Sequence, residues 1–249
     1  MVAGGPAESR PYLAVSAGFG YELRPTATGG AQQTSKNGGG QSQMIEPTYF
    51  GYGGFDFSWG DHICGIFDQP RQQMEIMTNF IGHGLRASQR CVWVAPERSA
   101  LQFRESLGAI GGDLRTLEAS SQLVVVSEIE FYLESGLFEP ERTIDLLRTL
   151  LADGQEHGYP TMRLATDVSW LRHGERIDPD LWEQFEYRQT EEMAGLPAVL
   201  VCQYDRRQVS GSIIVAAFRT HQIVLLGEEM HENPFYVAGA AGPAAREVM

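Results

Sequence analysis

The chain has 249 residues, 19 basic against 32 acidic, a formal net charge of −13, and a single lysine, Lys36. At roughly 150 residues per domain, that length makes one large domain or a medium domain with an appendage, enough to bury a core without staples. The missing basic stripe disfavours direct nucleic-acid binding, the acidity disfavours anionic membrane surfaces, and no apolar run approaches the roughly 20 residues that span a bilayer.

The start, Met1 to Pro6, has neither the charged opening nor the apolar stretch of a secretory signal, so a cytoplasmic protein is expected. Residues 1–58 read as a Gly-rich N-terminal extension. Its centre, Thr28 to Gly40, has nothing to bury and has the composition of a flexible linker. Short apolar pieces flank it, Tyr12 to Val15 before and Tyr49 to Phe57 after. Either this extension docks weakly on its own domain, or it is an arm exchanged in a homo-oligomer.

From Asp61 onward, short apolar runs alternate with helical periodicity. His62 to Phe67, Cys91 to Val94, Leu123 to Val126, Met162 to Ala165, Ala198 to Cys202 and Ile223 to Leu226 are mostly continuous, as in strands covered on both faces. Between them run the stripes Met74, Met77, Ile81, Leu85; Phe103, Leu107, Ile110; and Ile144, Leu147, Leu151. Asp178-Pro179 opens a further helix as cap and first position, with Leu181, Trp182 and Phe185 facing inward, and Ile214 with Phe218 marks a fifth. Strict alternation predicts an α/β fold, three layers around a doubly wound, mostly parallel sheet. The folded domain then covers residues 59–237, and 238–249 is a disordered tail.

Such sheets bind ligands at the carboxyl ends of their strands. After the first run the chain reads Phe67-Asp68-Gln69-Pro70-Arg71-Gln72-Gln73, without the glycines and lysine of a P-loop. No Gly-x-Gly-x-x-Gly follows a strand, and no Gly-x-Ser-x-Gly elbow is present. Cys64, Cys91 and Cys202 are odd in number and widely spaced, so free thiols are expected rather than disulfides or a zinc ribbon. Cys202 ends a strand but has no demonstrated histidine neighbour, and inert packing is the preferred account. His62 and Cys64 point to one face of a strand, and with Cys202 and His221 they would compose a two-Cys, two-His metal site. A buried histidine bonded to a carboxylate such as Asp61 or Glu186, beside a packed thiol, is preferred, so no metal or other cofactor is assigned. Trp170 follows a strand end and either walls a pocket or caps the core. Glu186 is read first as a solvated helix residue, and Glu228, Glu229 and Glu232 as a solvated loop.

The string Trp59-Gly60-Asp61-His62-Ile63-Cys64-Gly65-Ile66-Phe67 resembles the opening motif of the MEDS family, the sensory domains of methanogens, methylotrophs and the DcmR regulator. The likeness continues through Phe80 to Val94 and returns at Ser169-Trp170, Cys202 to Asp205, Arg219 to His221 and Asn233 to Tyr236. The middle stretch also resembles KaiC and RecA type ATPases at Gly84-Leu85 and Val92-Trp93-Val94. These resemblances imply a RecA-like sheet that lacks its P-loop, with the Cys202 strand between the His62 and Met162 strands and Cys64 beside Cys202. They also imply that His62 and His221 lie at the edge opposite a crevice lined by Asp68, Asp167, Trp170 and Tyr204.

The expected function is a non-enzymatic, ligand-responsive regulatory domain that signals through a protein partner. Its small, weakly polar ligand would meet Trp170 and Tyr204 as walls and His62, Cys64, Glu186 and Cys202 as orienting groups. The alternatives are an enzyme using Cys202 or a metal on His62, Cys64 and His221, and an adaptor subunit without ligand.

Overall fold

A computed structural model describes residues 48–109, 113–173 and 177–238. A short hairpin, β1 (Thr48–Tyr49) and β2 (Asp56–Phe57), leads into β3 (His62–Phe67), α1 (Pro70–Arg86), β4 (Arg90–Ala95), α2 (Glu97–Ala109), α3 (Leu114–Ala119), β5 (Leu123–Ser127) and α4 (Glu128–Tyr132). Then come α5 (Pro140–Glu156), β6 (Met162–Asp167), a 3-10 helix (Ser169–His173), α6 (Pro179–Met193), β7 (Ala198–Asp205), α7 (Gly211–Thr220), β8 (Ile223–Leu226) and β9 (Glu229–Glu232).

The main sheet has the order β5-β4-β6-β7-β3-β8-β9, parallel throughout except for β9. All six apolar runs are strands in it. Every residue of β3, β4, β6 and β7 is buried, which is why their sequences show no polar alternation. Ile63, Trp93 and Val201 pack under Ile76, Phe80 and Phe103 of α1 and α2. Cys64, Leu164, Leu200 and Cys202 pack on the other face with Leu147, Phe185 and Ala217 of α5, α6 and α7. The result is the expected three-layer α/β architecture.

Several local expectations change. Ser127 and Glu130 form a reciprocal capping box that starts α4. The acidic cluster near residue 230 is not a loop: Glu229 and Glu232 lie on β9, whose charges discourage further strand pairing at the edge. In α6 the buried stripe is Trp182, Phe185, Glu186, Gln189, Thr190 and Met193, and Leu181 faces solvent. In α7 the buried set is Ile213, Ala216, Ala217 and Thr220, with Ile214 and Phe218 half-buried beside it. Ile110 lies outside the described residues.

Residues 48–57 belong to the folded unit, and Phe50 and Phe57 are core residues. Arg163, buried in β6, holds them there. It donates to the carbonyls of Tyr49 (2.7 Å), Phe50 (2.5 Å) and Phe80 (3.1 Å) and to Gln89 Oε1 (2.6 Å), between the rings of Phe57 and Phe80. Burial lowers its pKa to about 10, which still leaves it a cation at neutral pH. Gly84 lets α1 approach this arginine, since a Cβ there would lie 2.7 Å from both Arg163 Cδ and Cys91 Sγ. The rest of the extension, 1–47, and the tail beyond 238 lie outside the described residues. Among the described residues no helix is long and apolar enough to cross a membrane.

Candidate functional site

Parallel pairing of β3 with β7 sets Cys64 opposite Cys202 and His62 opposite Leu200. The period of two sends His62, Cys64, Cys202 and Tyr204 to the face covered by α6 and α7. The α6 stripe carries three polar residues among its apolar ones, and these bring Glu186, Gln189 and Thr190 onto the same face. His221, at the end of α7, closes the group.

Four donor atoms converge there. His62 Nε2 lies 3.2 Å from Cys202 Sγ and 3.4 Å from Glu186 Oε2. His221 Nε2 lies 3.5 Å from the same oxygen, and Cys202 Sγ 4.0 Å from it. All four side chains are fully buried, and the four atoms lie within 4.8 Å of one another. Tyr204 donates its hydroxyl to Glu186 Oε1 at 2.6 Å, and Thr166 Oγ1 donates to Cys202 Sγ at 3.4 Å.

The outer nitrogens are held as firmly. His221 Nδ1 is 2.9 Å from the Ala217 carbonyl, which only accepts, so this nitrogen carries the proton. His62 Nδ1 is 2.8 Å from Thr190 Oγ1. The Thr190 hydroxyl has its own proton directed to the carbonyl of Thr220 (2.7 Å) or Glu186 (3.1 Å), and so accepts from His62. Both imidazoles therefore turn an Nε2 lone pair toward Glu186 and Cys202.

Burial dominates the electrostatics. It pushes His221 down to about 3 and His62 well down, with His221 beside His62 adding to the effect. It raises Glu186 to about 8 against the opposing hydrogen bond from Tyr204. The thiols of Cys64 and Cys202 are pushed well up by burial first and by Glu186 second. A thiol held protonated in this way is the opposite of an activated nucleophile.

The strand ends form a separate region. Asp68, half-exposed, pairs with Arg206 at 2.5 Å. Asp167 is buried and accepts from the Ser169 amide (2.8 Å) and from Gln73 Nε2 (3.3 Å), and its carboxyl is raised by burial. Gln73 also donates to Gln203 Oε1 at 3.0 Å. Only Asp68 and Gln69 separate β3 from α1, and the helix opens on Pro70, which has no N–H to give a phosphate.

Of the residues singled out in the sequence, His62, Glu186, Cys202, Tyr204 and His221 meet in the buried cluster. Cys64 lies alongside, but its sulfur is not among the four converging atoms. Asp68 and Asp167 stay at the strand ends. Tyr204 does not wall a crevice there, because its ring is fully buried and its hydroxyl points to Glu186. Glu186 is no solvated helix residue. Trp170 is buried in an aromatic group with Tyr132, Phe138 and Trp182, ring centres 5.0, 5.4 and 5.6 Å away. Thr166, Gln189 and Thr190 also border the cluster, and none of them stands out in the sequence. The signal that would have found the last two is the helical spacing from Trp182 to Met193, which assigns polar residues to core positions.

The MEDS family, described as the methanogen/methylotroph, DcmR sensory domain, matches residues 61–222. The chain is 24% identical over 170 residues to the transcriptional repressor DcmR of Methylorubrum extorquens, a match covering 68% of this chain and 61% of the repressor. The chain thus spans about 61% of the length of this curated relative. Among solved structures it is similar to a KaiC-like protein of Pyrococcus horikoshii, at TM-score 0.50 and 12% identity over 73% of this chain and 80% of that one. At that identity the likeness speaks to the fold, a KaiC-like and RecA-like sheet.

Proposed function

This chain belongs to the MEDS family of sensory domains, and from that premise we propose that it detects a small, weakly polar molecule by occupancy rather than turnover and signals through a protein partner. The observation that carries the ligand class is the state of two indoles. Trp170 Nε1 and Trp182 Nε1 are buried without a hydrogen-bond acceptor, inside the group formed with Tyr132, Phe138 and Phe185. An indole N–H only donates, and leaving it unpaired in a core costs about 1–3 kcal/mol. A molecule with an apolar body and one acceptor atom, such as a short alcohol or a haloalkane, matches both the rings and the donors. Turnover is disfavoured by protonated thiols and by a strand-end turn, Asp68 to Gln73, without the glycines and lysine that grip a triphosphate. Binding changes the output only if the two signalling states hold the ligand with different affinity.

Thermal-shift and calorimetric titrations with short alcohols, haloalkanes and adenine nucleotides test this reading. Saturable stabilisation by one organic class is expected, on the order of 2.7 kcal/mol at a hundred times Kd, with a change in tryptophan emission that W170F diminishes. Micromolar ATP binding with measurable hydrolysis would overturn it, and so would a flat response across the organic panel.

A further inference from the structure

We propose that His62, Glu186, Cys202 and His221 form a binding site for one divalent transition-metal ion of the zinc class. The inference does not depend on the ligand reading above, because it rests on different atoms.

Four observations support it. The first is direction: the hydrogen bonds to Thr190 and to the Ala217 carbonyl fix the proton on each Nδ1, so two Nε2 lone pairs point at a carboxylate oxygen and a sulfur. In the metal-free protein the Cys202 thiol proton and the Glu186 carboxyl proton fill these contacts, and a divalent ion can replace both; the fully buried His221 Nε2 has no hydrogen-bond partner. This pattern, an outer nitrogen bonded to a carbonyl or hydroxyl and an inner one left free, is how metal-binding histidines are oriented.

The second is spacing. Tetrahedral zinc with bonds of about 2.0–2.1 Å to N and O and about 2.3 Å to S places neighbouring ligand atoms about 3.3–3.6 Å apart. The separations here of 3.2, 3.4, 3.5 and 4.0 Å bracket that range. The third is charge. A thiolate and a carboxylate balance a divalent ion while the imidazoles stay neutral, so the loaded site carries no net charge into the core. Loading releases one proton from the Cys202 thiol and one from the Glu186 carboxyl, and involves no change of oxidation state.

The fourth is donor chemistry. Two imidazoles and a sulfur favour zinc-class ions, whereas magnesium and calcium require oxygen. Four protein ligands close the site, the arrangement of structural zinc. The ion would then tie α6 and the end of α7 to β3 and β7, adding to the packing and to the hydrogen bonds of Thr190 and Tyr204.

The test uses the full chain, first as purified and then stripped with a chelator and refilled with Zn2+ or Co2+. The expected result is one metal per chain by elemental analysis and, with cobalt, intense tetrahedral d–d bands plus a thiolate-to-cobalt charge-transfer band. That band should vanish in C202S and persist in C64S, and E186Q should lose stoichiometric binding. T190V, which touches no metal, should weaken affinity about 10–100-fold. Because ligand variants can fail to fold, circular dichroism is recorded for each, and the wild-type spectrum alone decides between a thiolate site and none. Substoichiometric metal that exchanges freely, an octahedral cobalt spectrum, or a charge-transfer band that survives in folded C202S overturns the proposal. Running the small-molecule titrations beside the metal analysis separates the two readings: a ligand response in protein that takes up no stoichiometric metal sinks only the metal site, and stoichiometric metal with no ligand response sinks only the ligand reading.

Discussion

Glu186 shows what a core position demands of a polar side chain. One of its oxygens accepts from the Tyr204 hydroxyl, and the other lies 3.4 and 3.5 Å from the two imidazole Nε2 atoms. Y204F removes one donor and leaves a buried oxygen unpaired, so we expect a loss of about 1–3 kcal/mol in urea unfolding. At the strand end, Asp205 behaves differently. Hydrogen bonds from Arg207 and Gln208 outweigh burial and lower its carboxyl from 3.8 to about 2. A carboxyl depressed on folding contributes stability that is present above about 3.8 and lost as pH falls through about 2. Between pH 5 and pH 2, thermal melts of wild type should therefore fall further than those of D205N; equal slopes would show that the Arg207 pair contributes nothing.

At the scale of elements, the hairpin β1–β2 depends on a single side chain of a distant strand. Arg163 supplies hydrogen bonds to the carbonyls of Tyr49 and Phe50 that R163M cannot. That variant strands several buried acceptors at about 1–3 kcal/mol each. The exchange of amide hydrogens in residues 48–57 should then accelerate before that of β3, and uniform acceleration across the domain would contradict the assignment. Where α1 crosses β4 and β6, the close approach needs a missing Cβ. G84A should cost about 1–3 kcal/mol from overpacking against Cys91 and Arg163, read as a shift in denaturant midpoint at constant m.

Across the whole molecule, the sheet divides the structure into two cores of different character. The α1–α2 side is mainly apolar, with Arg163 and Gln89 at one end and Asp167 and Gln203 bonded to Gln73 at the strand ends, while the α5–α7 side encloses the polar cluster and the aromatic group. Central strands covered on both faces open only with global unfolding. Hydrogen exchange should accordingly be slowest in β3, β4, β6 and β7 and fastest in β9, the exposed antiparallel edge. A β9 as protected as β7 would mean that something covers that edge in solution.

The composition and spacing of the chain determined the parallel core, because strands covered on both faces must be continuously apolar, and they also determined the cap at Asp178 and the free state of the three cysteines. They grouped His62, Cys64, Cys202 and His221 as a candidate metal set and offered Glu186 as a carboxylate for a buried histidine. What they could not fix was which of these meet. His62 and Cys202 are 140 positions apart, and only the register of β3 on β7 brings them to 3.2 Å. Glu186 takes the place foreseen for Cys64 because the rotation of α6 about its axis, set by Trp182, Phe185 and Met193, turns its carboxylate inward. Strand register and helix rotation are settled by packing between segments far apart along the chain, and no local pattern encodes them.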